Sequence, residues 1–240
     1  MLAIEATNLT KKYKEKIAVN GIDLKIHQGE LFALLGTNGA GKTTTIKMLS
    51  TLILPTDGSI IINGMDIKKE TQKIKEILNM SPQETAIAPN LTVKENLEFM
   101  AGVYQIPNRK NKIDELIKTF KLEDVLNQKA KTLSGGWQRK VSIAISLINA
   151  PLILFLDEPT LGLDVIARKE LWKVIESLKG KITIILTTHY MEEAEILSDR
   201  IGIMAKGKLV DVGTSRELIE RTGADNFEDA FIEIATGGEL

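Results

Sequence analysis

A glycine-rich stretch, GTNGAGKT at residues 36–43, constrains the fold of this chain more than any other feature. It directly follows the apolar run LFALL and leads into TTTIKMLS, which predicts a turn between a buried strand and a helix. Glycines let successive backbone N–H groups face one anion, and the helix N-terminus adds its positive dipole end. The spacing therefore predicts a phosphate-binding loop, in which Lys42 reaches the β- and γ-phosphates and Thr43 ligates Mg²⁺. A plain glycine-rich turn with a solvated lysine is the alternative, and it leaves the full spacing unexplained.

Short runs of Ile, Leu and Val elsewhere in the chain predict further buried strands. They lack polar alternation, which is typical of a mostly parallel sheet covered by helices on both faces. These runs are LFALL (31–35), SIII (59–62), LILFL (152–156), ITIIL (182–186) and IGIM (201–204). Helical patterns at 42–51, 166–179 and 191–197 lie between them, so α/β crossovers are expected. Residues 2–26 alternate more clearly and indicate a small antiparallel sheet.

The region from about residue 86 to 148 has a different pattern, with no convincing strand. Thr92 is followed by Glu95 three residues later, which is the pattern of a capping box at the start of a helix. Helical segments at 108–120 and 135–149 follow, so we expect a helical lobe inserted into the α/β core. The predicted organisation is one domain over 1–240, and its parts are a core with its β subdomain at 1–85 and 150–222, a helical subdomain at 86–149 and a short helical tail at 223–240.

The composition narrows the possible functions. The formal net charge is −1, so no broad basic surface is expected to attract nucleic acid. The chain has no cysteine, which excludes disulfides, thiolate metal sites and cysteine nucleophiles. The N-terminus MLAIEATNLT lacks the pattern of a signal peptide, and the longest apolar runs have strand length. Any membrane role is therefore expected to come through a partner chain.

Two acidic residues, Asp157 and Glu158, end the apolar run LILFLDEPT. Carboxylates at the end of a buried strand cost desolvation energy unless a cation or a proton is shared there. A Mg²⁺–nucleotide complex would supply that cation, with Asp157 holding Mg²⁺ and Glu158 polarising an attacking water. An acidic pair that faces solvent or caps the next helix is the alternative interpretation.

Three single residues and a second glycine-containing turn are further candidates for a nucleotide-binding site. His189 follows the run ITIILTT and could reach a γ-phosphate, although a lone histidine is more often structural. Gln83 lies where the core gives way to the helical lobe, and Tyr13 could stack on adenine or be an ordinary surface residue. The turn LSGG (133–136) opens a helical segment and is followed by Trp137.

Taken together, these features resemble the ATP-binding subunit of an ABC transporter over residues 2–222. The resemblance rests on six features in the order of that family: Tyr13, GTNGAGKT, Gln83, LSGG, LILFLDEP leading into LGLD (161–164), and His189. It implies an α/β fold with the RecA-like core of P-loop NTPases, an N-terminal antiparallel β subdomain and an inserted α-helical subdomain.

The resemblance also implies roles for individual residues. The implied catalytic residues are Glu158 as general base, His189 as γ-phosphate switch, Lys42 and Gln83. The implied metal ligands are Thr43, Gln83 and Asp157. The implied ATP-binding residues are Tyr13, Gly36, Thr37, Asn38, Gly39, Ala40, Gly41, Lys42, Thr43, Thr44, Ser134, Gly135, Gly136 and Asp164.

In this family the LSGG loop binds the γ-phosphate of ATP held on a second subunit, so the resemblance implies a head-to-tail dimer of two copies or of this chain and a paralogue. ATP and Mg²⁺ are the implied cofactors, and a membrane permease is the implied partner, on the inner face of the cell membrane. SGGWQRKVSIAISL and TTHYMEEAEILSDRI are similar to ATPases of exporters of drugs, polysaccharide or sodium. The family most often has Gln or a bulkier apolar residue in place of Trp137, for which we expect a packing role.

Two alternative functions remain open from the sequence. A soluble ABC ATPase in iron–sulfur assembly, translation or DNA repair would use the same motifs without a permease. A P-loop kinase for a small molecule would transfer phosphate to an acceptor, but it gives LSGG and LGLD no role.

Overall fold

The computed structural model describes residues 1–237, and the last three residues of the predicted tail lie outside that range. In chain order the strands are β1 (Leu2–Tyr13), β2 (Lys16–His27), β3 (Leu31–Gly36), β4 (Asp57–Ile62), β5 (Met65–Asp66), β6 (Leu78–Ser81), β7 (Ile153–Asp157), β8 (Thr183–Thr188), β9 (Arg200–Ala205) and β10 (Lys208–Gly213). The helices are α1 (Lys42–Leu49), α2 (Thr71–Ile77), α3 (Val93–Val103), α4 (Arg109–Phe120), α5 (Gly135–Ser146), α6 (Val165–Leu178), α7 (Met191–Leu197), α8 (Ser215–Thr222) and α9 (Phe227–Thr236).

The central sheet has six strands in the order β10-β9-β3-β8-β7-β6. All neighbouring pairs are parallel except β9 and β10, which form an antiparallel edge. Strands β3, β7 and β8 are buried along their whole length, as expected for apolar runs covered by helices on both faces. The carboxyl ends of β3, β7 and β8 therefore meet at one edge of the sheet, where the candidate residues of the phosphate loop and the acidic pair lie.

A second, antiparallel sheet has the order β2-β1-β4-β5 and forms the predicted β subdomain. The assignment of SIII to the mostly parallel sheet is wrong, because β4 pairs antiparallel with β1. Ile60 and Ile62 are buried while Ser59 is exposed and Ile61 is only half-buried. Burial alternates along this strand, but three consecutive isoleucines give no alternation of apolar and polar residues in the sequence.

Helices α3, α4 and α5 occupy the region that was predicted to be helical. Thr92 and Glu95 form the expected capping box, since each side chain bonds the backbone N–H of the other residue. Apolar side chains of all three helices share one core cluster with Leu154 and Leu156 of β7. The helical lobe is therefore packed directly against the strand that carries the acidic pair.

The C-terminal segment forms the two helices α8 and α9, which are separated at Gly223, and α9 lies in the predicted helical tail. Phe227 and Phe231 of α9 pack in a third core cluster with Ala33 and Leu35 of β3 and Ala194 of α7. In residues 1–237, no helix is long and apolar enough to cross a membrane.

Candidate functional site

A cleft of about 530 Å³ lies at the carboxyl edge of the central sheet. It brings together four features that are far apart in the sequence, namely the phosphate loop, Gln83, Glu158 and His189. Its lining residues are Lys16, Ile17, Ala18, Asn38, Gly39, Ala40, Gly41, Lys42, Thr43, Thr44, Gln83, Glu158, Leu161, His189, Lys206 and Gly207. Two further predicted residues, Gly36 and Thr37, begin the same loop and place their carbonyl oxygens within 3.3 Å of Lys42 Nζ.

The phosphate loop fits tightly between two strands, and this explains two of its glycines. A Cβ atom on Gly36 would lie 2.4 Å from the carbonyl oxygen of Met204, and one on Gly41 would lie 2.6 Å from that of Ala18. Gly41 also has φ +104°, a conformation that side chains of L-residues rarely adopt. The loop therefore requires glycine at both positions before any ligand is considered.

Lys42 is a buried cation at the start of α1, with only 5% of its surface exposed. Its Nζ donates to the carbonyl oxygen of Gly36 at 2.7 Å and to that of Thr37 at 3.3 Å. The same nitrogen lies 3.5 Å from Glu158 Oε1, which makes a buried ion pair. The loop and Lys42 thus face one point at the N-terminus of α1, where an anion is stabilised, and Glu158 balances the lysine charge while no anion is bound.

Asp157 forms a second polar centre beside this point and is 2% exposed. Its Oδ1 accepts hydrogen bonds from Thr187 Oγ1 at 2.6 Å and from Thr43 Oγ1 at 3.3 Å. A carboxylate and a hydroxyl oxygen are the hard ligands that Mg²⁺ prefers, and phosphate oxygens and waters usually complete its coordination. Asp157 and Thr43 therefore offer two suitable ligands to Mg²⁺ beside the phosphate loop.

Glu158 lies in a left-handed backbone conformation with φ +50°. Its N–H donates to both the carbonyl and the hydroxyl oxygen of Thr187, each at 3.1 Å. The side chain is 7% exposed, and its Oε2 lies 2.5 Å from His189 Nδ1. The unusual backbone thus aims the Glu158 carboxylate into the cleft, and the carboxylate orients the imidazole ring of His189.

Five of the predicted ATP-binding residues lie outside this cleft. Ser134 is the N-cap of α5 but makes no side-chain cap bond, and it is exposed together with Gly135. Gly136 follows in the first turn of the helix and is half-buried. The other two residues are Asp164 and Tyr13, and the roles of all five residues stay predictions.

Asp164 and Tyr13 have clear local environments of their own. Asp164 caps helix α6, because its Oδ1 accepts the N–H groups of Ile166 and Ala167, each at 2.9 Å. Tyr13 ends β1 and is 47% exposed, with Lys11 Nζ 5.3 Å from its ring centre. Residues 16–18 of the next strand line the cleft instead, and they had no signal in the sequence beyond strand alternation.

Arg139 of α5 was not recognised in the sequence. It is 4% exposed, and its guanidinium donates to four carbonyl oxygens near the site. Burial lowers the pKa of Arg139 to about 10, which still leaves it charged at neutral pH. Its spacing from Ile143, four residues later on the buried face of α5, is the one signal that predicts its burial.

Glu193 of α7 is a second buried ionisable residue that sequence reasoning missed. Trp172 Nε1 donates to its Oε1 at 2.9 Å, and burial raises the pKa of this carboxyl. The contact joins α6, which follows the acidic pair, to α7, which follows His189. No pattern in the sequence indicates it, because the partners lie on different helices.

The site defines a class of protein before any comparison: a P-loop nucleotide-binding protein with a carboxylate beside the phosphate loop. A profile described as ABC transporter matches residues 19–161, more than half of the chain. Over 239 residues the chain is 39% identical to the probable multidrug ABC transporter ATP-binding protein YbhF of Escherichia coli (strain K12), covering 96% of this chain and 41% of that protein. Over 225 residues it is 40% identical to the linearmycin resistance ATP-binding protein LnrL of Bacillus subtilis (strain 168), covering 92% of this chain and 72% of that one.

The fold is also similar to the dimeric post-hydrolysis structure of the ATP-binding cassette MJ0796 bound to ADP and Pi. The TM-score is 0.80 at 27% identity, covering 88% of this chain and 98% of that one. The chain therefore belongs to the ABC transporter family, as an ATP-binding cassette similar to those of drug-resistance exporters. The family and the fold class predicted from the sequence are confirmed, although the chain spans only 41% of the length of YbhF.

Proposed function

We propose that this cassette hydrolyses ATP as a head-to-tail dimer and thereby powers export through a separate membrane subunit. One observation carries the proposal: the phosphate loop, Lys42, Glu158 and His189 meet in one cleft, while Ser134 stays exposed outside it with an uncapped hydroxyl. The cleft has the groups for binding and cleaving a terminal phosphate. The exposed LSGG turn has the groups for binding a second nucleotide.

Within one cleft, binding begins with the phosphates of ATP at the N-terminus of α1. The loop amides and the helix dipole stabilise the anion, and Lys42 exchanges its carbonyl and carboxylate partners for the β- and γ-phosphate oxygens. Because the lysine is already buried beside Glu158, this exchange moves one charge over a few ångströms only. The exchange also frees the Glu158 carboxylate from Lys42, so that it can act as a general base.

Glu158 acts as general base in this account. Its carboxylate accepts a proton from a water whose oxygen attacks the γ-phosphorus, and the bond to the β-phosphate oxygen breaks to give ADP and inorganic phosphate. His189, held at Nδ1 by Glu158, turns its other ring nitrogen toward the departing γ-phosphate. General base catalysis of this kind contributes about 10²–10⁴-fold to a rate.

Thr43 and Asp157 are the residues that would hold Mg²⁺, and Gln83 is an exposed residue that lines the same cleft. The ion would neutralise charge on the β- and γ-phosphate oxygens. Thr187 keeps the Asp157 carboxylate in place by its hydrogen bond, so the ligand geometry does not depend on the ion alone.

The second half of each site comes from the partner's LSGG turn. The Ser134 hydroxyl and the N–H groups of Gly135 and Gly136 lie at the N-terminus of the twelve-residue helix α5, which favours an anion. A two-fold axis then places each turn on the ATP of the other copy. Tyr13 stacking on adenine and Asp164 at the dimer interface belong to the same proposal.

Ser134→Ala should lower ATP turnover much more than Trp137→Met. Loss of a hydrogen bond to a charged oxygen costs about 1.5–3 kcal/mol, so we expect kcat/KM to fall about tenfold or more. Trp137 is half-buried, and Lys140 Nζ lies 4.4 Å from its ring centre, so Trp137→Met should act mainly on packing, with turnover within about threefold. Turnover of both variants is measured as release of inorganic phosphate from ATP without any phosphate acceptor. A larger loss in Trp137→Met than in Ser134→Ala would contradict the assignment of Ser134 as the phosphate contact.

The membrane subunit docks on a groove of about 600 Å³ between core and helical lobe. Leu52, Met80, Ala86 and Tyr104 line it beside the segment that leads to Gln83. The cassette is then peripheral on the inner face of the cell membrane. Co-purification of a polytopic membrane protein from detergent-solubilised membranes tests this partner, and recovery of soluble partners alone would favour an ABC ATPase that is not coupled to transport.

A further inference from the structure

Arg139 makes contacts that none of the roles above explains. Its Nε donates to the carbonyl oxygen of Pro159 at 2.7 Å, and its Nη1 donates to that of Pro82 at 2.5 Å. Its Nη2 donates to the carbonyl oxygens of Asp157 at 3.0 Å and Glu158 at 2.6 Å. Three consecutive carbonyl groups at the end of β7 therefore converge on one guanidinium.

All of these hydrogen bonds go to backbone carbonyl oxygens. They therefore fix the backbone conformation of the segment that carries Asp157 and Glu158. Glu158 has a left-handed backbone, which a non-glycine residue keeps only when its surroundings hold it. Thr187 holds the N–H side of this residue, and Arg139 holds its carbonyl side. Without the guanidinium, four carbonyl groups would lose a charged donor, and that of Glu158 would keep only the N–H of Leu161 at 3.2 Å. Relaxation of the turn would then carry the carboxylate away from the cleft.

Arg139 also belongs to the helix that Ser134 begins. It lies five residues after Ser134 in α5, so any movement of the LSGG turn as part of this helix also moves the guanidinium. Pro82 directly precedes Gln83, which lines the cleft. One side chain thus connects the LSGG helix, the segment before Gln83 and the backbone of Glu158.

We propose that Arg139 is a positioning residue for hydrolysis: it fixes the backbone of Glu158 to the helix whose LSGG turn meets the ATP of the other subunit. This rests on the proposed function, since it requires Glu158 as base and LSGG as a contact in trans. Docking of the LSGG turn on one ATP then sets the geometry of the base at the other site. Arg139 acts on the hydrolysis step and leaves ATP binding and dimer formation intact.

The test uses Arg139→Lys, with Arg139→Gln as a second variant should the first fail to fold, and Arg200→Lys as the control. Arg200 is partly buried and pairs with Glu30, away from the cleft. Displacement of a catalytic group by about 1 Å can cost as much as 10²-fold, so we expect kcat to fall by about fivefold or more, with KM for ATP within about threefold. The control should keep kcat within about twofold of wild type.

A second measurement separates positioning from a general structural role. In a Glu158→Gln background, the ATP concentration for half-maximal dimer formation is measured by light scattering with and without Arg139→Lys. We expect a change below about threefold, because the base is already absent. A larger change, or a kcat loss smaller than fivefold with Glu158 present, overturns the proposal. If Glu158→Gln alone keeps wild-type turnover, the proposed function fails instead, and with it the positioning role.

Discussion

Glu158→Gln should retain ATP but lose hydrolysis, with kcat lower by about 10²–10⁴-fold. The amide keeps the size of the carboxylate but cannot accept a proton from water. It also removes the negative charge 3.5 Å from Lys42 Nζ, so ATP affinity should stay the same or rise. Turnover is measured by phosphate release, and the trapped ATP-bound dimer is detected by light scattering.

The matched control is Glu195→Gln, on an exposed position of α7. The same substitution there should leave turnover within about twofold of wild type, because it touches nothing in the cleft. If Glu158→Gln hydrolysed ATP at the wild-type rate, Glu158 would not be the base.

Lys42→Ala should instead abolish ATP binding along with turnover. Truncating one member of a buried, hydrogen-bonded charge pair at a binding interface costs about 2–5 kcal/mol, so we expect ATP affinity to fall by about thirtyfold or more. In the free protein the change also leaves Glu158 without its ion-pair partner in a buried setting. Isothermal titration calorimetry with ATP distinguishes this loss of affinity from the effect of Glu158→Gln, which changes only the rate of hydrolysis.

Lys47→Ala on the same helix is the control for Lys42→Ala, because Lys47 is exposed. It should bind ATP with an affinity within about twofold of wild type. Normal ATP binding by Lys42→Ala would mean that the cleft does not hold the phosphates where we place them.

The meeting of the candidate catalytic residues in one cleft was predictable, because each of them ends or directly follows a strand of one sheet. GTNGAGKT follows β3, Asp157 and Glu158 end β7, and His189 follows β8. Parallel strands bring their carboxyl ends to the same edge, so strand order alone places these groups together. Apolar runs of Ile, Leu and Val identify such strands well when both faces are buried.

The contacts of Arg139 were not predictable for a physical reason. Its partners are backbone carbonyl groups, which every residue type carries, and they lie 18 to 57 positions away in the chain. Strand β4 was assigned to the wrong sheet because three successive isoleucines cover an alternating burial pattern. The roles of Tyr13 and Asp164, which lie outside the cleft, depend on ligand and partner and stay predictions.

The composite site is the central claim, and mixing two impaired variants tests it most directly. Protomers with Glu158→Gln and with Ser134→Ala are combined in equal amounts before ATP is added. In a head-to-tail dimer one mixed site carries both changes and the other carries neither, so random pairing leaves about a quarter of all sites intact. We predict that in the first turnover about a quarter of all sites release phosphate at the wild-type rate, far more than in either variant alone. Turnover equal to the mean of the two separate variants would contradict a site shared between two chains.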